Sequence, residues 1–195
     1  MKRAFDVAVA GLVLLLLWPV MVLLAVLIRA TSPGPAFFRQ ERVGLHGELF
    51  RIHKFRTLRT GPAGTMISPT GDPRITRVGA VLRRTKLDEL PQLLDVLAGT
   101  MSLVGPRPEV PAYAALWPAE YRDVILSVRP GITDPASVAF RDEPERLAAV
   151  ADPEAYYVSV LLPEKARMYA EYVRGQSFLG DLVVLGRTAR AVAVG

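Results

Sequence analysis

Residues 7–28, VAVAGLVLLLLWPVMVLLAVLI, form the stretch that decides the fold, because 22 residues follow one another without a charge. A helix of this length extends for about 33 Å at about 1.5 Å per residue, enough to cross a hydrocarbon layer of about 30 Å. Lys2 and Arg3 precede the run and Arg29 follows it, so both ends carry the basic residues that mark a cytoplasmic face. Pro19 lies in the middle, removes one helical hydrogen bond and bends the helix. The pattern favours a helix that enters the membrane and returns to the same face.

Two other interpretations of this run stay open at the level of the sequence. An ordinary kinked membrane span has the same length and composition, although the positive-inside rule then explains the charges at one end only. A secretory signal peptide fits less well, since the run is longer than a typical apolar signal region and no A-x-A-like cleavage site follows it.

The composition of the chain excludes several classes of protein. Its 195 residues are 51% hydrophobic, which is too apolar for a disordered chain and long enough for one domain with a core. Cysteine is absent, which excludes disulfides, thiolate zinc sites and cysteine nucleophiles. Only two histidines occur, which excludes a histidine-rich metal site. Residues 29–90 contain 12 Lys and Arg against 5 Asp and Glu. A basic stretch directly after a membrane segment indicates anionic lipid headgroups, an anionic substrate or both, and we expect no nucleic acid partner.

The remaining pattern predicts a mostly helical α+β fold. Residues 36–40 and 48–55 are short strands of a small β-hairpin, with a turn at 44–47. The other predicted elements, in chain order, are a loop at 60–73, helices at 75–84 and 87–98, a short strand or turn at 101–104, a helix at 112–126, a turn at 129–131, a helix at 154–174 interrupted near Pro163, and an amphipathic helix at 178–194. This last helix could lie on a membrane surface or pack on the core.

The candidate chemistry centres on two adjacent carboxylates, Asp88 and Glu89, at the start of the leucine-rich helix. Such residues are often only favourable charges in the first turn of a helix. Here, however, basic residues surround them in sequence, and Arg107 is held between two prolines as a stiff phosphate-binding group. One carboxylate could hold Mg²⁺ while the other attacks phosphorus. The residues therefore indicate a membrane-associated site for phosphoryl transfer.

Four ordered motifs resemble one known family. They are KFRT at 54–57, LDELPQL at 87–93, MSLVGPRP at 101–108 and RPGIT at 129–133. The chain is similar to the bacterial sugar transferases, the monotopic phosphoglycosyl transferases, over nearly its whole length. The resemblance implies a re-entrant membrane helix at residues 1–30, bent at Trp18 and Pro19. It also implies a catalytic domain at residues 31–195 on the cytoplasmic face of the bacterial inner membrane, with amphipathic helices at the membrane interface. This domain and the membrane anchor form one continuous structural unit.

The same resemblance implies the reaction and the roles of the residues. A sugar-1-phosphate passes from a UDP-sugar to polyprenyl phosphate, such as undecaprenyl phosphate, and UMP is released. Asp88 corresponds to the covalent nucleophile and Glu89 to the residue that binds Mg²⁺. The phosphate- or nucleotide-binding residues implied are Lys54, Arg56, Arg83, Pro106, Arg107, Pro108 and Arg129.

Three positions depart from the pattern of the family. Trp18 replaces the serine that precedes the membrane proline in many members, and Asp95 replaces a common asparagine. The sequence DPAS at 134–137 stands where many members have Gly-Trp-Ala.

Two other function classes remain open: a non-catalytic membrane scaffold of a glycan-assembly pathway, and a membrane-bound phosphatase or nucleotide-sugar hydrolase. The sequence also leaves open the identity of the sugar and whether two copies form a homodimer.

Overall fold

One long apolar helix followed by short elements makes up the part of the chain that the computed structural model describes, residues 1–60 and 67–194. Helix α1, Lys2–Thr31, remains helical across Pro19, so the predicted bend is not a break into two helices. It is long and apolar enough to cross a membrane by length and composition. The expected class, a mostly helical α+β fold with a small antiparallel sheet, is confirmed.

The antiparallel sheet is the predicted β-hairpin. Strand β1, Phe37–Val43, pairs with β2, Leu49–Phe55, and a short 3₁₀ turn, Leu45–Gly47, joins them. The first strand extends three residues beyond the predicted end at residue 40. Its last residue is also bonded outside the hairpin, because the Val43 amide donates to the carbonyl of Glu109 at 2.9 Å.

The later elements are short. They are α2, Arg77–Arg84; a 3₁₀ turn, Leu87–Glu89; α3, Gln92–Ala98; β3, Ser102–Val104; α4, Pro111–Ala114; α5, Ala119–Leu126; β4, Gly131–Thr133, parallel to β3; α6, Pro135–Ala139; α7, Glu143–Ala148; α8, Pro153–Tyr156; a π-helical turn, Tyr157–Leu161; α9, Leu162–Arg174; and α10, Phe178–Val194.

Comparison with the predicted elements gives several differences. The predicted helix at 112–126 is two helices separated before Pro118, and α6 and α7 were not predicted. The π-helical turn is the interruption expected near Pro163, and α10 has the predicted bounds. Of the predicted loop at 60–73, residues 61–66 lie outside the described residues, and 67–73 contain neither helix nor strand.

The prediction of one helix over 87–98 was wrong, and Pro91 gives the physical reason. Proline has no amide hydrogen, so it cannot donate the helical bond to the carbonyl of Leu87. The chain instead makes hydrogen bonds between residues three apart, as in a 3₁₀ helix. The amide of Leu90 donates to the carbonyl of Leu87 at 3.3 Å, and the amide of Glu89 donates to that of Lys86 at 3.2 Å. An α-helix begins only at Gln92, so the two carboxylates lie on a 3₁₀ turn rather than on the first turn of an α-helix.

Helix α1 contacts the rest of the protein with both of its halves. Ala10, in the first half, is fully buried in a cluster that includes Val96 and Met101. Ile28, in the second half, is buried with Phe55 and Leu82. The opposite face of the helix is apolar and exposed, with side chains between 56% and 69% accessible at Leu12, Leu15, Leu16, Trp18, Leu23 and Val26.

Polar contacts fix the first turns of α1. The Lys2 ammonium contacts the Asp181 carboxylate at 2.5 Å, and buried Asp6 accepts a hydrogen bond from Ser102 at 2.7 Å. The Arg3 guanidinium donates to the carbonyl of Val96 at 2.7 Å. The N-terminal end of this helix is therefore tied to β3, α3 and α10.

Candidate active site

The two candidate carboxylates point to different surroundings because of the 3₁₀ turn that carries them. Successive residues of such a turn are about 120° apart, so Asp88 and Glu89 do not share one direction. Lys86, immediately before the turn, has a φ of 57°. This left-handed conformation is unusual for a residue other than glycine and often occurs at functional sites.

Glu89 is clasped by two cations from separate parts of the chain. Lys54, on β2, donates to Oε1 at 2.9 Å. Arg107 donates to the same oxygen at 2.6 Å through Nη2 and to Oε2 at 3.3 Å through Nη1. Lys54 is 35 positions from Glu89 in sequence and Arg107 is 18 positions from it, and the fold brings both into direct contact with its carboxylate.

The charges of this cluster perturb one another. Burial alone raises the pKa of Glu89, but the positive charges and hydrogen bonds of Arg107 and Lys54 hold it well below its usual range. The charge of Glu89 in turn raises the pKa of Arg107 well above its ordinary value. Burial lowers the pKa of Lys54, and Glu89 opposes that shift.

Asp88 has a different environment from its neighbour. Its side chain is buried, and Oδ1 has no hydrogen-bond partner among residues 1–60 and 67–194. Burial and the charge of Glu89 raise the pKa of Asp88, against the opposing charges of Lys54, Lys86 and Arg83. A buried carboxylate oxygen without a donor is available to bond with something that comes from outside the chain.

Arg83 borders the Asp88 side of the cluster. It lies in the last turn of α2, and its Nε donates to the hydroxyl of Thr57 at 2.9 Å. The positive charge of Arg83 opposes the rise in the pKa of Asp88.

The turn that presents Arg107 is held by a close approach of two backbones. Gly105 donates to the carbonyl of Thr133 at 3.1 Å, and Gly131 donates to that of Pro106 at 2.9 Å. A Cβ on either glycine would collide with the backbone of the other segment. The parallel strands β3 and β4 can therefore meet closely here, and the Pro106–Arg107–Pro108 turn begins at a rigid point.

A second buried layer lies behind this turn, and the sequence did not indicate it. The Arg42 guanidinium donates to the carbonyl of Pro108 at 3.0 Å and lies 3.8 Å from the carboxylate of Glu109. Glu109 also accepts a hydrogen bond from the hydroxyl of Tyr157 at 2.7 Å, on the π-helical turn. The only available signal was the position of Glu109 directly after the Pro-Arg-Pro motif.

Two of the expected binding residues are not brought to the carboxylate pair of Asp88 and Glu89, called the dyad below. Arg56 is buried elsewhere, and its guanidinium donates to the carbonyl of Ser32 at 2.8 Å, to the hydroxyl of Ser32 at 2.7 Å and to the carbonyl of Pro33 at 2.5 Å. It therefore fastens the C-terminal end of α1. Arg129 is exposed and donates to the carbonyl of Gly99, which ends α3, at 2.7 Å.

Two of the three positions that depart from the family pattern make structural contacts, whereas Trp18 is exposed. Asp95 accepts from the backbone amide of His53 at 2.9 Å and lies 2.6 Å from its ring Nδ1, which joins α3 to β2 next to Lys54. Fully buried Asp134 accepts from the amide of Ser137 at 2.9 Å and caps the N-terminus of α6.

The expected magnesium ion needs oxygen ligands, and the dyad is the candidate source of them. Over the described ranges, 1–60 and 67–194, no group of three or more His, Asp or Glu side chains is placed to hold a metal. Mg²⁺, however, is usually bound by one or two carboxylates together with substrate phosphates. Asp88 offers a buried oxygen without a donor in the described ranges, whereas Glu89 could bind a metal only by giving up part of its bonding to Lys54 and Arg107. Such a metal would have to arrive with a phosphate that takes the place of Glu89 as the partner of these cations.

Comparison with known proteins identifies the family of the chain. The sequence model of the family described as "Bacterial sugar transferase" matches residues 1–195. The UDP-glucose:undecaprenyl-phosphate glucose-1-phosphate transferase of Escherichia coli K12 is 41% identical over 75% of this chain and 33% of its own length. The protein of the same name from Caulobacter vibrioides is 45% identical over 70% of this chain and 53% of its own length.

A shorter relative matches almost from end to end. The exopolysaccharide production protein PSS of Rhizobium leguminosarum is 38% identical over 91% of this chain and 98% of its own length. By contrast, the chain spans only a third to about half of the two glucose-phosphate transferases. The match of the family model over residues 1–195 leads to one conclusion: the chain belongs to the bacterial sugar transferase family.

Proposed function

We propose that this protein transfers a sugar-1-phosphate from a UDP-sugar to undecaprenyl phosphate or a similar polyprenyl phosphate. The observation that carries the proposal is a buried Asp88 oxygen, without a hydrogen-bond partner among residues 1–60 and 67–194, next in sequence to Glu89 and its two cations, Lys54 and Arg107. The names of the E. coli and Caulobacter relatives describe this reaction for glucose-1-phosphate. The family membership and the exopolysaccharide relative agree with an early step in glycan assembly.

The reaction proceeds in two displacements. An oxygen of Asp88 attacks the phosphorus that bears the sugar, and the bond from that phosphorus to the bridging oxygen of the diphosphate breaks. The bridging oxygen leaves with UMP, and Asp88 carries the sugar-phosphate as an acyl phosphate. A phosphate oxygen of the lipid then attacks the same phosphorus, which releases the Asp88 carboxylate and forms a polyprenyl diphosphosugar.

The surrounding residues lower the cost of bringing anions together. Lys54 and Arg107, which contact Glu89 at 2.9 and 2.6 Å, are the groups positioned to bind the diphosphate, because a carboxylate and phosphates compete for the same donors. Arg83, in the last turn of α2, adds a positive charge that favours the ionised form of Asp88. Glu89 would hold Mg²⁺, which when bound neutralises the donor diphosphate against the approaching carboxylate.

We propose that α1 is the re-entrant anchor, with the body of the protein on the cytoplasmic face of the inner membrane. The contacts of both of its halves support this, since a helix that crosses the bilayer would place its ends on opposite faces, about 30 Å apart. Helix α10 continues the same surface, because the rings of Phe5 and Phe178 meet at 5.2 Å and Leu179 is 73% exposed. We therefore place α10 at the membrane interface.

Labelling of introduced cysteines tests the topology, because the natural chain has none. Arg3→Cys and Arg39→Cys should both react with an impermeant reagent from the cytoplasmic side only. Labelling of Arg3→Cys from the periplasmic side would establish a true span instead.

Release of UMP tests the reaction itself. The enzyme is incubated with a panel of UDP-sugars beginning with UDP-glucose, with Mg²⁺ and with undecaprenyl phosphate. Multiple turnovers should require the lipid, whereas a hydrolase releases its product without it and a scaffold releases none. Asp88→Asn should abolish turnover, while Asp95→Asn, a buried control that keeps an acceptor for His53, should retain it.

A further inference from the structure

The basic stretch at residues 29–90 contains more cations than the candidate active site uses. Lys54, Arg56 and Arg83 have the partners described above, and Arg42 and Arg74 also contact other groups of the protein. Of the seven that remain, Arg59 and Arg77 are exposed, and neither side chain has a partner among residues 1–60 and 67–194.

Both of these arginines line one cavity. The cavity has a volume of about 760 Å³ and lies beside the C-terminal end of α1, where Thr31 and Ser32 form part of its wall. Its described lining contains no Asp or Glu. A cavity with two cations and no acidic group to balance them favours an anionic occupant.

The hydroxyl groups around the cavity already have partners. Thr31 donates to the carbonyl of Leu27 at 2.7 Å, Ser32 accepts from Arg56 at 2.7 Å, and Thr76 accepts from the amide of Gly79 at 2.8 Å. The guanidinium groups of Arg59 and Arg77 are therefore the cations of this wall that are free to bind an anion.

The position of the cavity indicates what carries the anion. Val78, in its wall, also packs against the apolar cluster of Ile28, Phe55 and Leu82, which α1 joins through its second half. An amphiphile could thus lie along the apolar surface of α1 with its charged group in the cavity. Basic residues at the polar end of a membrane helix attract the phosphates of lipid headgroups.

The cavity is distinct from the site at the dyad. Thr76 and Val78, in its wall, belong to the N-terminal end of α2, whereas Arg83, on the Asp88 side, lies in the last turn of the same helix. Thr57 connects the two ends, since its carbonyl accepts from the amide of Thr76 at 2.9 Å while its hydroxyl accepts from Arg83 at 2.9 Å.

We propose that this cavity binds the phosphate group of a membrane lipid through Arg59 and Arg77, with the lipid chain alongside α1. The lipid could be a bulk anionic phospholipid or the polyprenyl phosphate acceptor, and only the second source rests on the proposed function. Both sources present an anionic phosphate to the arginines, a diester in the phospholipid and a monoester in polyprenyl phosphate, and they also differ in the chain that follows the phosphate.

Native mass spectrometry of the full chain in neutral detergent tests the proposal without any UDP-sugar, so the result does not depend on transferase activity. The protein is titrated separately with dioleoylphosphatidylglycerol, undecaprenyl phosphate and uncharged dioleoylglycerol. The test variant is the double substitution R59Q/R77Q. R51Q/R141Q removes two other exposed charges as a matched control, and R59K/R77K restores the charges.

R59Q/R77Q should weaken binding of at least one phosphate lipid tenfold or more, with dioleoylglycerol unchanged. R51Q/R141Q and R59K/R77K should stay within threefold of the wild type. A loss confined to undecaprenyl phosphate assigns the cavity to the acceptor, and a loss confined to phosphatidylglycerol assigns it to bulk phospholipid. Binding of both phosphate lipids by R59Q/R77Q within threefold of the wild type, an equal loss in R51Q/R141Q, or no recovery in R59K/R77K would overturn the proposal.

Discussion

Replacement of Arg107 by lysine separates the charge of this residue from its shape. In the structure, the two terminal nitrogens of Arg107 reach the two oxygens of Glu89 at 2.6 and 3.3 Å. Lysine keeps the positive charge but presents one ammonium on a flexible chain, so it cannot reproduce a planar fork. If the same fork binds the donor diphosphate, Arg107→Lys should impair the reaction even though the net charge is unchanged.

The size of the effect follows from the loss of one donor in a buried site. A hydrogen bond to a charged group contributes about 1.5–3 kcal/mol, and a donor that stabilises developing charge contributes about 3 kcal/mol. Lysine retains one of the two contacts and the Coulombic attraction, which sets the expected loss of transition-state stabilisation at about 2 kcal/mol. That value corresponds to a decrease in kcat/KM of about thirtyfold.

The assay is the rate of UMP release at varied UDP-sugar concentration, with undecaprenyl phosphate held constant. Arg129→Lys is the matched control, because Arg129 is exposed and its side chain donates to the carbonyl of Gly99 rather than to the carboxylates of the site. We expect this control to stay within about threefold of the wild type, as for most surface substitutions. Near-wild-type kinetics for Arg107→Lys, or an equally large loss for Arg129→Lys, would refute the assignment of the phosphate clamp.

Two further predictions concern stability, measured as the free energy of unfolding by denaturant titration in detergent. Arg56→Gln should lose about 3 kcal/mol, because one amide cannot replace the buried guanidinium that holds Ser32 and Pro33. The exposed control Arg51→Gln should stay within about 0.5 kcal/mol of the wild type, and equal losses would contradict a fastening role for Arg56. Asp95→Ala should lose about 2 kcal/mol because the amide and the ring of His53 lose their acceptor, and a loss no greater than that of Asp95→Asn would show that this contact is unimportant.

The sequence was sufficient to predict several of the elements around the site, but the 3₁₀ turn that carries Asp88 and Glu89 was predicted as part of an α-helix. The alternation of residues predicted the β-hairpin, the uncharged run predicted α1, and the motifs predicted that Asp88, Glu89 and Arg107 belong together. The contact between Glu89 and Arg107 agrees with that expectation. Such features are local or follow from ordered motifs, so one chain is enough to recognise them.

Arg56 shows why the direction of a side chain was harder to predict. Residues 54 and 56 are two apart, and the period of a strand places such residues on one face. Strand β2, however, ends at Phe55, so Arg56 lies beyond the alternation and turns toward the end of α1. Its partners, the carbonyls of Ser32 and Pro33, are backbone groups that every residue possesses, and no sequence motif marks them.

The buried layer of Arg42, Glu109 and Tyr157 was missed for a related reason. These residues are 48 to 115 positions apart and meet only because β1, the Pro-Arg-Pro turn and the π-helical turn pack together. Their roles depend on tertiary contacts, for which neither periodicity nor spacing gives a signal.

The mass of the intact protein tests the central claim, that Asp88 carries the sugar-phosphate between donor and acceptor. The protein is incubated with a UDP-sugar and Mg²⁺ in the absence of polyprenyl phosphate and is then digested to locate any adduct. The account predicts a mass increase of one sugar-phosphate that maps to Asp88, is removed by added undecaprenyl phosphate and is missing from Asp88→Asn. An adduct on a different residue, or full turnover by Asp88→Asn, would contradict it.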